Sequence, residues 1–112
     1  MPTQTLRRSK PAIAGGIARL ERKAGEVAQL LKLLANENRL LILCQLAQAR
    51  ELSVHGLADA VGLSRSALSQ HLARMRAEGL VATRRQAQTV YYRIADPNAA
   101  RLLAVLKSIY CP

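Results

Sequence analysis

Acidic residues, cysteines and long apolar runs are all scarce in this sequence. Seven Asp and Glu stand against 17 Lys and Arg among 112 residues, which gives a formal net charge of +10. No apolar run reaches the roughly 20 residues of a membrane-spanning helix, and the N-terminus MPTQTLRRSKPAIAGG lacks the apolar region of a signal peptide. We therefore expect a cytoplasmic protein with no membrane partner, in a compartment that keeps thiols reduced.

The two cysteines, Cys44 and Cys111, do not form a CxxC pair, and no Ser/His/Asp arrangement stands out. A small thiol redox enzyme is therefore disfavoured, and we expect no catalytic residue and no cofactor. The length fits one domain, and the 50% hydrophobic content excludes a disordered chain. We assign residues 1–15 to a flexible basic arm and residues 16–112 to the domain.

Positive charge is concentrated in the second half of the chain. Residues 63–93 contain six arginines and one acidic residue, whereas residues 26–62 contain three basic and four acidic residues. A basic block inside a folded pattern favours nucleic-acid binding over a merely solvated surface.

Helical periodicity and capping residues predict the order of the elements. Apolar residues at steps of three and four indicate one amphipathic helix: Ile17, Leu20, Ala24, Val27, Leu31 and Leu34. Asn36 suits the N-cap of a central helix over about 37–48, which carries Cys44. Asp96 and Pro97 suit the start of a last helix over about 97–110.

Two short helices lie between these elements and are followed by a hairpin. Ser53 and Ser64 are predicted N-caps, while Gly62 and Gly79 end the two helices. Residues 80–94 read as a β-hairpin with a basic tip. The fold class is mainly α with a β-hairpin wing: a winged helix-turn-helix with an additional helix at each end. Apolar outer helices favour a homodimer.

The second helix of the helix-turn-helix and the wing carry the candidate DNA contacts. Their polar and basic side chains can reach phosphates and base edges. The predicted DNA-binding residues are Ser64, Arg65, Ser66, Ser69, Gln70, His71, Arg74, Arg84, Arg85, Gln86 and Gln88.

The stretches LLKLLANENRLLIL, GLSRSALSQHLARMRAEGLV and RRQAQTVYYRI closely resemble the ArsR/SmtB family of bacterial repressors. The resemblance covers about residues 26–112. It implies a homodimer through the first and last helices, which binds an inverted-repeat operator in double-stranded DNA and releases it when an inducer binds. The helix 64–76 would enter the major groove, with the tip at Gln86 beside the backbone or minor groove.

The metal sites known in that family are missing from this sequence. The thiolate site resembles ELCVCDL, but ELSVHGL stands here, so that Ser53 and His55 replace cysteines. Serine is a poor ligand for soft metals, and the last helix contains no histidine. We predict no metal site. We expect His55 to be exposed or locally bonded, and His71 to belong to the DNA-reading pattern.

Cys44 and Cys111 resemble the cysteine pair of a thiol-sensing subgroup of that family, which contains regulators of biofilm growth, sulfide response and haemolysin production. The resemblance implies that reactive sulfur (persulfide) or an oxidant closes a disulfide or polysulfide bridge between them and releases the operator. Taken alone, a cysteine in an apolar helix is more often a buried, unreactive side chain, which would suit Cys44.

Other functions stay open at this stage. The same fold could respond to haem at the Cys111-Pro112 dipeptide, or to a metal ion such as zinc held by two cysteines and a histidine. The charge also permits an architectural protein that binds DNA without sequence specificity.

Overall fold

The computed structural model describes residues 14–111, which form six helices and a three-stranded sheet. The predicted arm lies outside these residues except for Ala14 and Gly15, whose backbone is already helical. The elements are α1 (Ala14–Arg22), α2 (Ala24–Leu34), α3 (Glu37–Ala49), β1 (Leu52–Ser53), α4 (Val54–Val61), α5 (Arg65–Ala77), β2 (Val81–Gln86), β3 (Thr89–Ile94) and α6 (Pro97–Tyr110). None of the described helices is long and apolar enough to cross a membrane.

The chain divides into two compact units between Lys32 and Leu33. In the first unit, the single helix that we predicted is two helices that meet at Lys23. The N–H of Lys23 donates to the carbonyls of both Arg19 and Leu20, at 3.2 and 3.1 Å, which tightens the last turn of α1. Gly25 follows, and glycine is a weak helix former. Periodicity alone does not reveal such a one-residue break.

The second unit contains the core, and α3 supplies much of it. Eight large side chains are at most 1% exposed: Ile42, Leu43, Leu46, Leu57, Leu68, Leu72, Met75 and Leu80. Arg39 is buried with them, and its Nε donates to the carbonyl oxygen of Leu33 at 2.7 Å. This bond satisfies a carbonyl near the C-terminus of α2, where a cation is also favoured by the helix dipole.

The capping residues predicted from the sequence are confirmed. The side chains of Asn36, Ser53, Ser64 and Asp96 each accept hydrogen bonds from first-turn amides of the helices that follow them. Gly62 ends α4 in the left-handed conformation, with φ of 71°. These local signals fix the lengths of the helices, and the mainly α winged helix-turn-helix is the observed fold.

The wing belongs to a three-stranded antiparallel sheet in the order β1-β3-β2. The hairpin of β2 and β3 was predicted, whereas β1 was not. β1 has only two residues, and it pairs Leu52 with Tyr92 and Ser53 with Tyr91. The central strand β3 therefore joins the segment before α4 to the wing.

Candidate DNA-binding surface and cysteine pair

Helix α5 is fixed at both ends by local bonds. The Ser64 hydroxyl accepts from the N–H of Ala67 at 3.1 Å. At the other end, the amides of Gly79 and Leu80 donate to the carbonyls of Arg76 and Met75, and Gly79 has φ of 77°. This is a Schellman motif, and its apolar residue Leu80 is 1% exposed. The helix therefore has a defined start and stop.

Helix α5 buries one face and exposes the other. Leu68, Leu72 and Met75 are at most 1% exposed and anchor it to the core. His71 is half-buried, and the other predicted DNA-binding residues of this segment are exposed: Ser64, Arg65, Ser66, Ser69, Gln70 and Arg74. The arrangement presents polar and cationic groups with no acidic residue inside the helix.

Arg65, the first residue of α5, is bonded to the preceding helix. Its Nη2 lies 2.7 Å from Nδ1 of His55. The other ring nitrogen of His55, Nε2, lies 3.5 Å from Oδ2 of Asp59 on the next turn of α4. His55 is thus exposed and locally bonded, as the sequence predicted.

Arg84 and Arg85 of the wing, which we both predicted to bind DNA, have different surroundings in the structure. Arg85, Gln86 and Gln88 are exposed toward the tip. Arg84 instead makes a two-pronged ion pair with Glu51, with Nε–Oε2 at 2.7 Å and Nη2–Oε1 at 2.8 Å. Its charge is therefore already matched by a carboxylate.

Glu51 is a functional candidate that the sequence analysis missed. The hydrogen bond from Arg84 lowers the pKa of the Glu51 carboxyl, and the charges of Arg84 and Arg93 add to this effect. Arg84 also donates from Nη1 to Oε1 of Gln86 at 2.9 Å. Because an arginine offers only donors, the Gln86 oxygen must face it and the amide nitrogen must face away. The available signal was the acidic residue that begins ELSVHGL, but strand β1 was too short to predict.

Cys44 is exposed, so its interpretation as a buried core residue is wrong. The buried stripe of α3 contains Ile42, Leu43 and Leu46, whereas Leu41 and Cys44, three residues apart, lie on an exposed stripe. Leu41 is 45% exposed, so apolar character alone did not decide which face is covered.

The two cysteines are brought together by the contact of α3 with α6. Cys111 is exposed and follows α6, where its N–H donates to the Lys107 carbonyl at 2.8 Å. Partial burial raises the pKa of the Cys44 thiol, and the neighbouring charge of Cys111 raises that pKa further. The charge of Cys111 thus affects the pKa of a thiol 67 positions away in the numbering.

Among residues 14–111, no group of three His, Cys, Asp or Glu side chains lies together as a metal site would require.

The outer helices leave apolar side chains exposed: Ile17 at 47%, Leu20 at 52% and Leu31 at 48% in α1 and α2, and Val105 at 53%, Ile109 at 60% and Tyr110 at 76% in α6.

Comparisons with known proteins agree with this architecture. Residues 36–83 match the model of the arsR family of bacterial regulatory proteins. The HTH-type transcriptional regulator YgaV of Escherichia coli is 45% identical over 96 residues, which cover 86% of this chain and 97% of the relative. The transcriptional activator HlyU of Vibrio cholerae is 46% identical over 92 residues, covering 82% of this chain and 84% of the relative.

Two solved structures show the same fold. Reduced HlyU from Vibrio cholerae superposes with a TM-score of 0.78 at 45% identity, covering 84% of this chain and 98% of that one. The transcriptional repressor BigR from Xylella fastidiosa superposes with a TM-score of 0.78 at 38% identity, covering 85% and 96%. With this identity over nearly the full length of its relatives, the chain belongs to the arsR family of bacterial transcriptional regulators.

Proposed function

We propose that this protein is a cytoplasmic, dimeric transcriptional repressor whose operator is an inverted repeat. In this proposal, bridging of Cys44 and Cys111 by reactive sulfur or an oxidant releases the DNA. The observation that carries it is the proximity of the only two cysteines of the chain, both exposed and close enough for one charge to raise the pKa of the other thiol.

Dimerisation is supported by the apolar side chains that α1, α2 and α6 leave in solvent. Val105, Ile109 and Tyr110 are each more than half exposed on the last helix. A patch of exposed apolar side chains marks a protein interface in a soluble protein. A second copy of the chain would cover these faces in both subunits by the same contacts, because a two-fold interface is self-complementary.

DNA binding is supported by the exposed face of α5 and by the tip of the wing. We assign base and phosphate contacts in the major groove to Arg65, Ser66, Ser69, Gln70 and Arg74. Ser64 caps the helix whose N-terminus approaches the DNA, and the half-buried His71 lies beside this face. Two such helices in a dimer would meet half-sites about 34–36 Å apart.

The wing would contact the backbone or the minor groove through its tip. Arg85 and Gln88 are exposed there, and Gln86 turns its amide donors outward. Arg84 has a supporting role in this proposal, since its guanidinium is occupied by Glu51. The charge balance of the second half of the chain fits this surface.

The proposed switch proceeds by thiol exchange. One thiolate takes the outer sulfur of a low-molecular-weight persulfide, R–S–SH, and releases R–SH. The second thiolate attacks the Sγ of the modified cysteine, which gives a disulfide and releases H₂S. If both thiols first gain a sulfur, one persulfide attacks the other, and loss of H₂S leaves a trisulfide. The raised pKa of Cys44 lowers its thiolate fraction, which favours Cys111 as the first nucleophile.

The bridge would act on DNA through the helices that it joins. Cys44 lies on α3 and Cys111 follows α6, and both helices contact β3. A bond between α3 and α6 would change the apolar face that α6 offers to a second subunit. The distance between the two recognition helices would then no longer match the half-sites, and the dimer would lose its contacts with both halves of the operator together.

The test combines mass spectrometry with DNA binding. Reduced protein is treated with glutathione persulfide, peptide-mapped, and titrated against a duplex that the untreated protein has selected from a random-sequence pool. We expect a Cys44–Cys111 peptide pair joined by two or three sulfurs, together with loss of the duplex. Cys44→Ser and Cys111→Ser should each keep DNA binding and lose the response. A serine variant that still releases the duplex would refute the switch.

A further inference from the structure

Arg65 is the first residue of α5, and its orientation is set from outside that helix. The guanidinium Nη2 lies 2.7 Å from Nδ1 of His55 on α4, although both side chains are exposed to solvent. Residues at the N-terminal end of a recognition helix are those that reach base edges in helix-turn-helix proteins. The contact therefore constrains a side chain at the point where DNA would be read.

The chemistry of this contact fixes the protonation state of His55. A guanidinium has five N–H donors and no acceptor, so Nδ1 must accept the hydrogen bond through its lone pair. The imidazole is then neutral and carries its proton on Nε2. That nitrogen faces Oδ2 of Asp59 at 3.5 Å, where a carboxylate favours an N–H. Asp59 thus orients the ring, and the ring orients Arg65.

We propose that His55 is a positioning residue for DNA recognition, which holds Arg65 in one orientation while its imidazole is neutral and releases it when Nδ1 is protonated. The proposal rests on the assignment of α5 as the DNA-reading helix. The contact with His55 uses one N–H of Nη2, so the second N–H of Nη2 and the N–H groups of Nε and Nη1 remain for DNA. The second Nη2 hydrogen forms a two-pronged donor face with one of these neighbours, and the guanine edge, with O6 and N7, is the best fit for an arginine.

Protonation would replace the hydrogen bond by repulsion between two cations. The charged groups that contact the imidazole within residues 14–111 are Arg65 from α5 and Asp59 from α4 itself. The other elements packed on α4, which are α3, α5, β1 and β3, add no further ionic contact to the ring in that part of the chain. Acidification that protonates Nδ1 therefore breaks the contact, because the nitrogen loses the lone pair that accepts the hydrogen bond.

The measurable consequence concerns specificity more than affinity. An imidazolium beside DNA adds positive charge and so strengthens binding to any duplex. A released Arg65 must be ordered again on a specific site, which costs about threefold to tenfold in affinity for that site. Acidification should therefore lower the ratio of specific to random-sequence binding.

The experiment uses the full chain and two duplexes of equal length. One is selected from a random pool by the wild-type protein at about pH 8, and the other is an unselected random sequence. We expect the affinity ratio of the wild type to fall at least about threefold between about pH 8 and pH 5.5. His55→Asn places an amide oxygen near the position of Nδ1 and does not titrate, so it should keep the ratio. His55→Ala should have the low ratio throughout.

His71 serves as an internal control, because this second histidine is retained in both variants. A His55→Asn protein that loses specificity on acidification as the wild type does, or a His55→Ala protein as specific as the wild type, overturns the proposal. ¹⁵N NMR of the free protein tests the contact without DNA: we expect Nε2 protonated and Nδ1 bare, and the opposite tautomer overturns it. If no duplex is selected at all, the proposed function itself fails, whatever the tautomer.

Discussion

The guanidinium carbon of Arg84 lies 4.7 Å from the centroid of the Tyr91 ring. The two residues are direct cross-strand partners, and Ser53 of β1 pairs with Tyr91 on the other side. Arg84 therefore reaches across the central strand to meet Glu51, which precedes β1. The stack and the ion pair join all three strands of the sheet, so the orientation of the wing depends on a residue near the start of α4.

Replacing Glu51 should loosen the wing and change the response to acid. The hydrogen bond from Arg84 lowers the pKa of Glu51, so its stabilising contribution is present above the pKa of the unfolded carboxyl and is lost as pH falls through the lowered value. We expect Glu51→Gln to lower the melting temperature at neutral pH and to reduce its fall on acidification. Glu78→Gln, at the exposed end of α5, is the matched control. Melting temperatures that fall equally with pH in the wild type and in Glu51→Gln would contradict this.

Arg39 should be important for stability because it is a buried charge with a backbone partner. Arg39→Met keeps much of the volume but leaves the Leu33 carbonyl without its donor. We expect a loss of about 1.5–3 kcal/mol in the free energy of unfolding, as for a hydrogen bond to a charged group. Urea unfolding measures it, and Arg76→Met on the exposed face of α5 should cost far less. An unchanged urea midpoint for Arg39→Met would show that the bond contributes nothing.

Arg50 ends α3 in a conformation that suits glycine. Its φ is 73°, and its N–H closes the helix on the Leu46 carbonyl at 2.7 Å. A residue with a Cβ pays about 1 kcal/mol in this region. We expect Arg50→Gly to raise the free energy of unfolding by roughly that amount, whereas Arg50→Ala, which keeps the Cβ, should not. Equal urea midpoints for the two variants would refute the strain.

The reactivity of Cys44 should depend on Cys111. Burial is the main reason why the pKa of Cys44 is raised, and the charge of Cys111 is the second. Cys111→Ser removes the second cause, so more Cys44 is thiolate at a given pH and iodoacetamide should alkylate it faster. Quenched time points read by mass spectrometry give the rate. Ser108→Ala, one turn earlier on α6, is the control. An alkylation rate of Cys44 that does not rise in Cys111→Ser would show that the charge of Cys111 does not act on Cys44.

The neighbouring arginines of the wing should differ in the salt dependence of DNA binding. Arg85→Ala should reduce the slope of log K against log salt by about 1, since a phosphate contact releases about one counterion. Arg84→Ala should leave this slope close to that of the wild type, because its guanidinium is held by Glu51. Fluorescence anisotropy at several salt concentrations measures both variants. An equal loss of slope in both would show that Arg84 also binds phosphate.

Local signals predicted much of this fold, and contacts between distant segments account for what was missed. A serine, asparagine or aspartate before an apolar repeat specifies a helix start through bonds to its own neighbours, so Asn36, Ser53, Ser64 and Asp96 could be identified in advance. Strand β1 exists only because β3 lies beside it, and two residues carry no periodicity.

The candidate site was predictable in outline for the same reason. Alternating exposure on α5 follows from its 3.6-residue period, which placed Ser69, Gln70 and Arg74 on one face. The partners of Arg65 and Arg84 were not predictable, since contacts between side chains of different elements depend on how α4 and β1 are placed. The exposure of Cys44 was missed because an apolar helix face does not reveal whether a neighbour covers it.

The position of β3 between β1 and β2 has a mechanical consequence. This strand leads through Ala95 and Asp96 into α6, and it is bonded on one side to β1, at the entrance of the helix-turn-helix, and on the other to β2, the other strand of the wing. A rotation of α6 would therefore be transmitted through one strand to both parts at once. We expect α5 and the wing to leave DNA as one rigid body, so that the protein would work as a two-position switch without a half-released state.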